Sequence, residues 1–148
     1  MGPDMKLSLG VWDMPYADKG GETTGAVAKE LERKYGVMRH FTTMHSKEIT
    51  DAVALAFAGA IGNVVAGQDS MIALKGAYME ASGEITTAFG LFLDRKEMDG
   101  MVGGVPTKAS LMGRSSRHKS GMKAGPRPSF IDTGLYSASM TSEITGDE

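Results

Sequence analysis

The stretch PRPSFIDTGLYSASMTSEI, residues 126–144, determines how the chain closes. Two prolines bias the backbone toward extended conformations, and an apolar pair, Phe130-Ile131, follows. Asp132-Thr133-Gly134 then precedes a run in which Leu135, Ser137, Ser139 and Thr141 alternate with Tyr136, Ala138 and Met140. A period of two predicts a β-strand over residues 134–145. Asp-Thr-Gly is also the signature of an aspartic-protease loop, whose chemistry needs two carboxylates sharing one proton. Only one copy is present, in the last sixth of the sequence, and no pattern of further strands and a flap follows Gly134. The reading that fits is a turn: Asp132 or Thr133 bends the backbone, and Gly134 supplies a permissive dihedral. A hydrolase in which Asp132 acts from each half of a homodimer is the sharper and weaker alternative.

A strand at the far end needs a partner, and the near end offers one. In MKLSLGVWDM, residues 5–14, Leu7, Leu9 and Val11 alternate with Lys6, Ser8 and Gly10, the pattern of a half-buried strand. The PYADKGGETTG that follows is turn chemistry throughout. AVAKELERKYG, residues 26–36, places Val27, Leu31 and Tyr35 four apart on one helical face and stops at Gly36. VMRHFTTMH reads as an extended connector.

A second helix starts at Ser46, read as its N-cap, with Glu48 favouring the positive end of the helix. Residues 49–66 are so apolar that a membrane span has to be weighed. Asp51, Asn63 and the small-residue breaks count against it, and a buried Ala/Gly-rich core helix is expected instead. Residues 69–93 predict a third helix capped by Asp69 or Ser70. Met71, Leu74, Tyr78, Ile85 and Phe89 form its apolar stripe, with a break near Gly83. Residues 100–129 are rich in Gly, Ser, Pro and basic side chains and read as one long loop. Together these elements predict one α+β domain over residues 1–148, with the terminal strands in a small sheet packed with two to three helices.

Composition narrows the chemistry. The chain has 148 residues and no cysteine, so thiolate metal sites, disulfides and cysteine nucleophiles are excluded. Its three histidines, His40, His45 and His118, are too few and too scattered to suggest a metal centre, and no cofactor motif is present. GMVGGVPTK lacks the spacing of a phosphate-binding loop. The N-terminal MGPDMKLSLG lacks the basic-then-apolar layout of a secretory signal. Charge is uneven. Residues 100–131 hold Lys108, Arg114, Arg117, Lys119, Lys123 and Arg127 and no acid; that window carries +6, leaving −8 on the rest of a chain of net charge −2. Such a segment could neutralise phosphates of a nucleic acid without reading its sequence, or become ordered against a partner protein. Without interleaved aromatics it has no platform for stacking bases.

In order and motif the chain resembles the tail-completion and head–tail joining proteins of long-tailed bacteriophages. The matching pieces are Gly10-Val11, the turn from Tyr16 to Gly21, the helix VAKELERKYG, RHF at 39–41, and above all PSFIDTGLYSASM, with Asp132, Thr133, Gly134 and Leu135 in step. The connector departs from that pattern in lacking prolines, and RK stands where an acidic residue precedes the aromatic-Gly step. The resemblance implies a non-enzymatic virion protein at the neck, made in the host cytoplasm, with no cofactor and no membrane. It would form a ring of six or twelve copies that joins tail to portal and touches other neck, tail or portal proteins. Lys108 and the five cations after it would contact protein or packaged DNA. The alternative is a non-specific DNA-binding accessory protein using the same basic residues.

Overall fold

The computed structural model describes residues 5–16, 21–113, 125–126, 128–130 and 135–146. The two ends of the chain meet. Strand β1 (Met5–Val11) pairs antiparallel with strand β2 (Met140–Gly146), with Leu9 opposite Ser142 and Val11 opposite Met140. An isolated two-stranded ribbon is marginal in water and needs a third surface. Helix α4 (Ser70–Asp94) supplies it: Met140 is buried, Leu9 and Val11 pack against the core, and the Ser82 hydroxyl donates to the Ser142 carbonyl at 3.4 Å.

Past Val11 the chain leaves the sheet and folds back on itself through a Pro15–Thr23 bridge. Buried Thr24 pins this return, its hydroxyl donating to the Trp12 carbonyl and accepting from the Met14 amide at 2.8 Å. Helix α1 (Thr24–Tyr35) follows, capped by the Thr23 side chain, and it ends where expected, at Gly36 in the left-handed region (φ 62°). Leu31 and Tyr35 pack on the core. The next segment corrects the expected extended connector, because Val37–Met44 is helix α2. Val37 and Phe41, one turn apart, are both completely buried, and Glu32 accepts from the Met38 amide at 2.8 Å, placing a carboxylate at the positive helix end. Burial of that stripe outweighs the weak helix propensity of Val, Phe and Thr.

Helix α3 (Ser46–Val65) and α4 form an antiparallel hairpin. His45, rather than Ser46, occupies the N-cap position of α3, without a side-chain cap bond. At α4 the expected cap is present, Asp69 accepting from the amides of Met71 and Ile72. No break occurs at Gly83, and α4 runs unbroken for 25 residues. Its buried stripe is Ala73, Ala77, Ala81, Ile85 and Phe89, each four residues from the last, so Met71 lies outside the core. The main core gathers Val37, Phe41, Ile85, Phe89, Phe92, Leu93, Met98, Val105 and Tyr136, with Phe41 edge-on to Phe89 at 5.2 Å.

Two further expectations change. The span read as one loop contains a short helix, α5 (Lys108–Leu111), and is tied to the body: Val105 is buried, and the buried hydroxyls of Ser110 and Ser129 lie 3.1 Å apart. Residues 114–124 and 127 of that span are outside the described residues. The strand expected from residue 134 starts later, since Leu135–Ala138 forms one helical turn, α6, closed by the Ser139 amide donating to Leu135 at 2.8 Å. That turn puts Tyr136 against Phe89, ring centroids 6.0 Å apart, before Met140 enters the sheet. The α+β class with paired terminal strands stands.

Candidate interaction surface

Helix α3 was expected to be a buried core helix, and it is not. Of its 20 residues only Ile49 and Ala56 are buried. By length and composition it is the one described helix apolar enough to cross a membrane. The hairpin holds together through small residues, Ala56 with Ala77 and Ala81, flanked by Val53, Phe57 and Ala60, and the rings of Phe57 and Tyr78 meet edge-on at 5.4 Å. With alanine at the seam, the bulkier apolar side chains point outward.

Helical geometry sorts these side chains into two faces. At 100° per residue, Ala54, Ala58, Ile61 and Val65 lie opposite Ala56 and therefore face away from α4. On α4, Ile72, Lys75 and Met79 lie opposite the Ala73–Ala77 seam and face away from α3. These positions are exposed: Ile61 by 65%, Val65 by 84%, Ile72 by 61% and Met79 by 68%. Leu55 and Met71 widen the two stripes. The outward stripe of α3 begins with the Lys47–Asp51 ion pair at its root and carries no charge beyond it. Between Ala52 and Leu74 the only charged residue is Asp69, spent on the α4 cap. Single exposed apolar residues are ordinary, but apolar stripes on two sides of one hairpin, interrupted by charge only at Lys75 on the α4 side, mark a candidate interaction site.

At the hairpin root lies a second cluster. His45 is 12% exposed, stacked on Phe41 and edge-on to Phe92, with Nδ1 2.7 Å from Glu48 and Nε2 2.7 Å from Glu97. Only the imidazolium can donate from both nitrogens at once. Burial lowers the proton affinity of the ring, but hydrogen bonds and charge from Glu48 and Glu97 outweigh it, so the pKa is raised above 6.5. The cluster bolts the start of α3 to the turn after α4. Among the described residues no group of three or more His, Asp or Glu side chains could hold a metal ion.

The residues singled out from sequence fall elsewhere. Lys108 is exposed at the start of α5. Arg114, Arg117, Lys119, Lys123, Arg127, Asp132, Thr133 and Gly134 lie outside the described residues. Sequence reasoning missed the hairpin surface because it treated the apolarity of α3 as a sign of burial. The available signal was spacing: bulky residues at 55, 61 and 65 alternate with small ones at 56 and 60 that fit a close helix seam. No protein-family model, curated protein or solved structure matches the chain.

Proposed function

We propose that this protein is a structural subunit of a bacteriophage virion that works by assembly, forming an oligomeric ring at the head–tail junction. The observation that carries the reading is the α3–α4 hairpin, which in a single chain leaves apolar residues of both helices in water. Removing apolar area from water contributes about 25 cal/mol per Å2, against which association loses rigid-body and side-chain freedom. The order of elements supports the same reading, with a first strand, the short helices α1 and α2, two long helices and a closing strand reached through the short helices α5 and α6; in sequence a Tyr- and Gly-containing stretch follows the first strand and Asp132-Thr133-Gly134 precedes the last. A basic segment on an acidic body suits stepwise docking onto other neck, tail or portal proteins.

The test is assembly. The purified chain, sized by light scattering and imaged in negative stain, is expected as closed rings of six or twelve copies that add to purified phage heads or tails. A protein that stays monomeric at tens of micromolar and joins neither particle is not a neck subunit.

A further inference from the structure

Resting on that reading, we infer that the hairpin is the joint between copies, the outward face of α3 in one copy packing on the outward face of α4 in the next. Heights along the hairpin follow from its seam. Phe57 meets Tyr78 across the seam that Ala56 shares with Ala77 and Ala81, so in the antiparallel pair Ala54, Ala58 and Ile61 lie within about one turn of the heights of Met79, Lys75 and Ile72. Two copies set side by side with hairpins pointing the same way then bring the small Ala54 and Ala58 near the neighbour's long Met79 and Lys75, and Ile61 near the neighbour's Ile72. The alkyl stem of Lys75 can lie over Ala58 while its ammonium reaches water. Because the two faces are different surfaces on opposite sides of one hairpin, the contact is head-to-tail, which builds a ring when the rotation per copy closes and an open filament when it does not.

Charge and length favour a second copy over other occupants. The α3 face has no charge beyond Asp51, and Lys75 is the lone cation on the α4 face, which gives a nucleic-acid backbone little to bind. A bilayer fits poorly too. The uncharged part of α3, residues 52–65, spans only about 21 Å at 1.5 Å per residue, against a hydrocarbon core of about 30 Å. Its partner α4 would also carry Lys75, Glu80 and Glu84 into lipid.

Cysteine cross-linking tests the geometry directly, since the chain has no native cysteine. The full-length protein carrying both A58C and K75C is treated with a short bis-maleimide, alongside each single variant, and all are sized before treatment. Both sites are exposed, and circular dichroism checks that the variants remain folded. The expected result is a ladder of cross-linked multimers from the double variant and none from either single one. Dimers from A58C alone would mean that α3 packs on α3, which overturns the head-to-tail joint. Rings that form without any ladder would move the joint off the hairpin while leaving the assembly reading intact. A wild-type monomer would remove both. Flotation of the wild-type protein with phosphatidylcholine vesicles would show that lipid, not a second copy, covers this face.

Discussion

Three polar residues, the buried Thr24 and Tyr136 and the half-buried His45, carry separable predictions. His45 is held as an imidazolium between Glu48 and Glu97, with its folded pKa raised above 6.5. A raised pKa contributes stability that is fully present below the unfolded value and is lost as pH climbs through the folded value. Urea midpoints should therefore fall between pH 6 and pH 9 in the wild type, and His45→Gln should flatten that slope; equal slopes would show that the bridge contributes nothing to folding. Thr24 both donates to Trp12 and accepts from Met14 in a fully buried position. Thr24→Val leaves those backbone groups without partners and should cost about 1–3 kcal/mol in a denaturant titration. Tyr136 presents the opposite case. Its hydroxyl is buried with no hydrogen-bond partner among the described residues, and burial, followed by the charge of Glu32, pushes its pKa well above the ordinary tyrosine value. Tyr136→Phe keeps the packing on Phe89 and sheds an unpaired hydroxyl, so stability should hold or rise by about 1 kcal/mol. A loss of that size would reveal a partner for the hydroxyl.

At the scale of elements, α4 tests whether its glycines are structural requirements. Gly83 sits in mid-helix, is exposed, and a Cβ there would meet nothing within 4 Å. Gly83→Ala should raise stability by about 0.5–1 kcal/mol, read from the urea midpoint, because alanine loses less backbone entropy on helix formation. A destabilised variant would mean that another chain approaches at that spot. The same helix shows how far the sequence could be read. Local signals spoke clearly: Asp69 and Gly36 end helices as caps should, and alternation found β1. Periodicity misled wherever residue size carried the information. On α4 the eye follows Met71, Leu74 and Tyr78, whereas the seam uses Ala73, Ala77 and Ala81. On α3 apolar content suggested a core helix, whereas much of that content faces outward. For α2 and α6, tertiary burial of Phe41 and Tyr136 decided a conformation that propensity and alternation assigned otherwise.

For the whole molecule, the body and the hairpin have different needs. The body closes on itself: terminal strands pair, an aromatic cluster fills the centre, and Ser110 and Ser129 tie the later segment down. The hairpin extends from that body with an alanine seam too slender to cover its own outer residues. A neighbouring copy that covers them stabilises the folded state by mass action, since it binds the folded hairpin and not the unfolded chain. Thermal midpoints of the wild type should accordingly rise with protein concentration. Ile61→Lys places a charge in the centre of the α3 face without touching the seam. It should abolish that concentration dependence and leave the midpoint at high dilution unchanged, because Ile61 is already 65% exposed in the single chain. A variant that lost stability equally at every concentration would show instead that Ile61 supports the fold of its own chain.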